Sequence, residues 1–170
     1  HQRVFPVYVN DALDHHFLVV SNQPYARQPE SAATISEGNE RVLTARFYDA
    51  KFFYAEDRKK TLSDFRGRLE GMQWIRKGGT MAEKADRIAA LAATLAPLLG
   101  ADADAAARAG LLCKYDLGTQ MVSEFPKLQG HIGNLLAGFD GEDDATAAAI
   151  EEHYYPRYQG DALPGSALSR

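Results

Sequence analysis

TMAEKADRIAALAATLAPLLG, residues 80–100, decides the fold class. Thr80 and Glu83 carry the Thr-x-x-Glu pattern of a capping box, in which each side chain accepts a hydrogen bond from the other residue's backbone N–H. The run behind them is rich in alanine, the best helix former, and it closes at Gly100, a residue suited to a helix C-terminus. Downstream the same texture repeats in ADAAARAGLLCKYDL, near TQMVSEF, in PKLQGHIGNLLAG and in DATAAAIEEHYYPRY. Everything from Thr80 onward therefore reads as helical, with QGDALPGSALSR as a closing tail laid along the surface.

Upstream the pattern differs. RVFPVYV and HHFLVVSN are β-rich runs separated by NDALD, which predicts an antiparallel hairpin with a loop longer than two residues. Pro6 lacks an N–H and places the first strand at an edge or a bulge. NQPYARQPE supplies turn residues before a helix starting at Pro29 or Ser31, with Glu30 near its positive end. Val42, Leu43, Phe47, Ala50, Phe53 and Tyr54 then recur at helical spacing, predicting a long helix with one apolar stripe. In the less regular segment that follows, Leu62, Phe65, Leu69, Met72 and Trp74 are the inward positions, and Gly78-Gly79 closes it. The fold class is thus α+β and predominantly α-helical: residues 1–78 form a β-hairpin with long helices, and residues 79–170 form a compact helical domain.

The composition, 45% hydrophobic and 25% charged, is that of an ordinary globular protein. No apolar run approaches the length needed to cross a bilayer, and the N-terminus lacks the regions of a signal peptide, so a cytoplasmic location is expected. The chain opens at His1 without an initiator Met and moves directly into a strand, which reads as a piece of a longer polypeptide. A single cysteine, Cys113, excludes an internal disulfide and a cysteine-based zinc cage, and its apolar surroundings predict a buried thiol.

The net charge of −4 is unevenly distributed: −3 over residues 1–40, +5 over 41–87 and −6 over 88–170. The basic middle contains Arg58, Lys59, Lys60, Arg66, Arg68, Arg76 and Lys77, interleaved with Phe65 and Trp74. Such a segment fits phosphate contacts with RNA, with an exposed aromatic stacking on an unpaired base. The alternative is a solvated helix face whose aromatics are core.

Catalytic patterns are missing. No Walker loop, no G-x-G-x-x-G and no G-x-S-x-G elbow occurs. LLCKYDLGTQM, residues 111–121, lies where a helix of HD-type metal phosphohydrolases would carry Leu-Leu-His-Asp. Aligned on the leucines, the dyad positions become Cys113 and Lys114; aligned on Asp116, the preceding residue is Tyr115. Of the five histidines, His1, His15 and His16 belong to the hairpin region, leaving His131 and His153 for the helical part. This is too few ligands for a catalytic metal.

HQRVFPV, FLVVSN, EGNERVLTARFYDAKFFYAED, KADRIAALA, LLCKYDLGTQMVSEFPKLQGHIG and EEHYYPRYQGDALP, in that order, closely resemble the middle of the beta subunit of bacterial heterotetrameric glycyl-tRNA synthetases. The resemblance runs nearly end to end. It implies the end of an editing-like module followed by an HD-related helical domain without metal ligands. It further implies a non-catalytic region of a ligase that joins glycine to its tRNA, with partners in the alpha subunit, the tRNA for glycine and the rest of the beta subunit. No cofactor is implied for this stretch, ATP and magnesium being used by the holoenzyme. Lys114 and Asp116 match the family's K-x-D element, for which a structural ion pair or a helix-terminal role is expected. KGGT at the junction and His131 at a usually apolar position depart from the family pattern. Two rival readings stand beside this one: a metal-dependent phosphohydrolase of the HD type, and an architectural spacer that does not touch RNA.

Overall fold

The computed structural model describes residues 4–22 and 28–169. His1 and most of the turn NQPYARQPE lie outside the described residues. The chain divides into two compact units, one ending at Ala50 and the other beginning at Lys51. The boundary expected at Gly78-Gly79 falls inside the second unit, at the tip of a short hairpin.

In the first unit, β1 (Val4–Val9) pairs antiparallel with β2 (Ala12–Val19). The connection is tighter than the sequence suggested: Val9 pairs with Ala12 across Asn10-Asp11, both at positive φ (52° and 61°). Asn and Asp tolerate this left-handed backbone, and a two-residue turn of that kind matches the twist of the flanking strands. The register shifts farther along. Pro6 pairs with Phe17 and Tyr8 with Leu13, so Val7 alone stands opposite Asp14, His15 and His16. The unit also contains the first part of α1 (Pro29–Asp57), which begins at Pro29, where a missing N–H costs no helical hydrogen bond. Along α1, Leu43, Ala50, Phe53 and Tyr54 are half-buried, whereas Val42 and Phe47 of the expected stripe are exposed.

The regular structure of the second unit is helical apart from one small hairpin, and residues 153–169 after the last helix are irregular. A 3-10 turn at Leu62–Phe65 leads into α2 (Arg66–Glu70), and β3 (Gln73–Ile75) pairs with β4 (Gly79–Thr80). Leu62, Phe65 and Leu69 are buried as expected; Trp74, expected inward, is 39% exposed on β3. Then come α3 (Met81–Leu95), α4 (Ala103–Leu112), α5 (Gln120–Glu124), α6 (His131–Phe139) and α7 (Asp144–Glu152). The capping box holds: the Glu83 N–H donates to Thr80 Oγ1 at 3.2 Å and the Thr80 N–H to Glu83 Oε2 at 2.7 Å.

Small residues let the helices approach closely. A Cβ on Gly110 of α4 would lie 3.0 Å from Ala89 Cα of α3, so any side chain there would press on the α3 backbone. The core is completed by Leu112, Met121, Val122, Ile132, Leu136 and Ile150, all buried. The architecture is therefore α+β and mostly helical, as the sequence indicated.

Candidate nucleic-acid interface and a buried polar cluster

The basic segment divides by what each cation touches. Arg66 forms a two-pronged pair with Asp86 of α3, Nη1 to Oδ1 at 2.7 Å and Nη2 to Oδ2 at 2.8 Å, and Nη1 also donates to the Tyr115 hydroxyl at 2.9 Å. These carboxylate contacts hold the guanidinium's proton still more firmly than usual. Arg68 donates to the Gly118 carbonyl at 2.8 Å. Both arginines thus tie α2 to neighbouring segments of the same unit. Lys59 pairs with Glu56 one turn back along α1.

The remaining cations are presented differently. Arg58 lies 3.6 Å above the Phe139 ring and Lys60 5.9 Å from that of Phe65, while Arg76 and Lys77 are exposed at the β3–β4 turn. Two further cations belong with them. Lys84 sits 4.1 Å and Arg87 5.7 Å from the Trp74 ring centre, and Arg87 also donates to the Gly78 carbonyl at 2.8 Å. Sequence reasoning passed over this pair, although three-residue spacing places Lys84 and Arg87 on one face of α3. The result is a partly exposed indole with cations beside it, next to the exposed turn that carries Arg76 and Lys77. Chemically this can neutralise phosphate and offer a stacking surface.

Lys114 and Asp116 do not meet each other. Lys114 Nζ donates to His153 Nε2 at 2.6 Å and lies 4.0 Å from the Tyr154 ring centre. The other imidazole nitrogen of His153, Nδ1, is 2.7 Å from the Ile150 carbonyl and donates to it, which leaves Nε2 free to accept. Burial and the Lys114 charge hold His153 down to about 4, and burial also lowers the Lys114 ammonium.

Asp116 is fully buried at the N-terminus of α6, where Oδ2 accepts the Gly130 N–H at 2.6 Å and Oδ1 has no hydrogen-bond partner. Burial pushes its carboxyl up to about 6, against the opposing pull of the Gly130 and Gly133 amides. Cys113 is buried as expected and pushed up to about 11 by burial, which disfavours a thiolate nucleophile. His131 is exposed and faces Glu151 at 3.3 Å. Among the described residues of the second unit, no three His, Cys, Asp or Glu donors converge closely enough to hold a metal.

The chain is thus α+β and mostly helical, with a cation-and-aromatic surface around Trp74 and a polar cluster directed inward. The family model described as glycyl-tRNA synthetase beta subunit matches residues 1–170, and the chain belongs to that family. It is 47% identical over 169 residues to the glycine–tRNA ligase beta subunit of Neisseria meningitidis serogroup A, covering 99% of this chain and 24% of that protein. The same-named protein of Ralstonia nicotianae is 47% identical over 155 residues, 91% of this chain and 22% of the relative. That of Haemophilus influenzae is 45% identical over 169 residues, covering 99% and 24%. The chain thus spans about a quarter of the length of these relatives.

Proposed function

We propose that this region serves an ATP-dependent glycine–tRNA ligase by binding tRNA and organising the subunits, with glycyl-adenylate formed on the alpha subunit rather than here. The observation that carries the reading is the exposed set of cations at Arg58–Lys60 and around Trp74, in a chain matched throughout by the beta-subunit family. ATP and magnesium act at the alpha-subunit site, and the enzyme works in the cytoplasm as a heterotetramer with two of each subunit. Arg58, Lys60, Arg76 and Lys77 meet phosphates, with Lys59 as an auxiliary that must first leave Glu56. Arg66 and Arg68 contribute by holding α2 in place.

The test is tRNA affinity of the assembled enzyme across a salt series, for the wild type and for Arg58→Glu/Lys59→Glu/Lys60→Glu. Phosphate contacts predict weaker binding and a shallower salt dependence, each lost contact removing about 0.7–0.9 from the log–log slope. ATP–pyrophosphate exchange should be unchanged, since amino-acid activation lies elsewhere. Unaltered tRNA affinity and slope would overturn the reading in favour of the architectural spacer. That second reading draws support from the exposed Phe5, Tyr8, Leu18 and Phe47 of the first unit, apolar surface suited to packing against other protein.

A further inference from the structure

The β-bulge of the first hairpin gathers three metal-binding side chains that consecutive strand residues would ordinarily send to opposite faces. Strand side chains alternate, so Asp14, His15 and His16 on a regular β2 could not share one ion. Here three residues stand opposite Val7 alone, and the irregularity re-aims them. Pro6 contributes, because it has no N–H to give the ladder where the register slips.

The outcome is specific in geometry. His15 Nδ1 lies 2.9 Å from Asp14 Oδ1, and His16 Nδ1 lies 2.6 Å from Asp14 Oδ2. The two imidazole centroids are 3.9 Å apart and tilted by 42°. One donor atom from each of the three side chains falls within 4.8 Å of the other two. Ligands about 2.0–2.2 Å from a zinc ion are separated by roughly 3–3.5 Å, so side-chain rotation alone closes the difference. The imidazoles are open to solvent, at 82% and 68% exposure, while Asp14 is at 23%, so an ion can reach the donors without displacing core. His15 and His16 also line a cleft of about 900 Å3 that α1 borders with Ser36 and Asn39.

We propose that Asp14, His15 and His16 form a three-ligand site for a late first-row divalent ion, of the Zn2+, Ni2+ or Cu2+ class. Two imidazole nitrogens and one carboxylate oxygen suit these borderline ions, whereas Mg2+ and Ca2+ take oxygen ligands. Water completes the coordination. The bound ion fixes the bulge and the two rings in one arrangement and stabilises the hairpin by mass action. The site is separate from the polar cluster of the helical unit and independent of the tRNA reading.

The probe is Zn2+ itself, titrated calorimetrically into the tag-free protein, with Cu2+ electron paramagnetic resonance as a second readout. The wild type should take up one equivalent, and the Cu2+ spectrum should show splitting from two nitrogens. Loss of a mere outer-shell partner costs about 10–100-fold in metal affinity, so His15→Gln and His16→Gln should each weaken binding at least about tenfold. The double variant should lose it, while His131→Gln should bind as the wild type does. Circular dichroism of each variant should remain that of the wild type, since both imidazoles project into solvent. Absence of saturable Zn2+ uptake by the wild type, or undiminished uptake by the folded double variant, would overturn the proposal.

Discussion

Asp116 and His153 should impose opposing pH dependences on the stability of the helical unit that cancel in the wild type and emerge in single variants. Asp116 has its carboxyl raised from 3.8 to about 6. Between those values the native state keeps a proton that the unfolded chain releases. Its stabilising contribution is therefore fully present below pH 3.8 and is lost as pH rises through 6. His153 is lowered from 6.5 to about 4, so the unfolded chain holds the extra proton. Its contribution is present above pH 6.5 and is lost as pH falls through 4.

Each shift spans roughly two units, worth about 3 kcal/mol at 1.36 kcal/mol per unit. Because the windows nearly coincide, the two slopes offset each other from about pH 4 to 6.5. Removing one group exposes the other. Relative to wild type, Asp116→Asn should gain about 3 kcal/mol as pH rises from 4 to 6.5, and His153→Gln should lose about as much over the same interval. The double variant should run parallel to the wild type, offset by a pH-independent cost of repacking. Urea denaturation at half-unit pH steps, followed through Trp74, the only tryptophan, reads the second unit selectively. The difference between variant and wild type is the quantity of interest, because the lowered carboxyls of Asp64, Asp86, Asp143 and Glu151 add a common background slope. If both single variants ran parallel to the wild type, Asp116 would be ionised and His153 protonated as in water, and the account of the buried cluster would be wrong.

Asp57, buried to 2% exposure, accepts the N–H groups of Gln120 at 3.0 Å and Met121 at 2.8 Å and so caps α5 from the end of α1. Asp57→Ala leaves the buried Met121 N–H and the half-buried Gln120 N–H without an acceptor and should cost about 2–4 kcal/mol in chemical denaturation, with Asp57→Asn recovering part of it. Gly133 leaves no room for a side chain, since a Cβ there would lie 2.6 Å from Ile150 Cγ2 and 3.3 Å from the Asp116 carboxyl. Gly133→Ala should therefore destabilise by about 1–3 kcal/mol and lower the melting temperature, and an unchanged melting temperature would contradict this packing of α6 on α7.

Features governed by neighbouring residues were legible in the sequence. The Thr80–Glu83 box, the burial of Leu62, Phe65 and Leu69, and the helical texture after Thr80 follow from local propensity and spacing, and the structure agrees. Pro6 signalled an edge or a bulge, and the bulge is there. What local pattern does not encode is which distant group a polar side chain will find. Arg66 and Arg68 look as available for phosphate as Arg76, yet their partners Tyr115 and Gly118 lie 49 and 50 residues away. Trp74 looked like core because indoles usually are, but a three-residue strand leaves its face to Lys84 and Arg87 instead. The two-residue turn was missed because Asn10 and Asp11 signal a left-handed turn only when both positive φ values are occupied together.

The titratable groups at the centre of the helical unit share a structural task at its helix ends. Asp57 terminates at α5, Asp116 at α6, and Lys114 reaches from just beyond α4 to His153 at the end of α7. The carboxylates sit at helix N-termini, where four N–H groups lack partners and the dipole is positive. The ammonium sits near helix C-termini, where it is negative. Short helices with tight connections create many such ends inside one small core, and each must be satisfied there because water does not reach it. A Lys whose proton rests on an imidazole already committed to a carbonyl has little capacity left to bind, and Asp116 spends Oδ2 on a backbone amide while Oδ1 stays buried without a partner. The function proposed above accordingly draws on the surface of this region, on its exposed cations and apolar side chains.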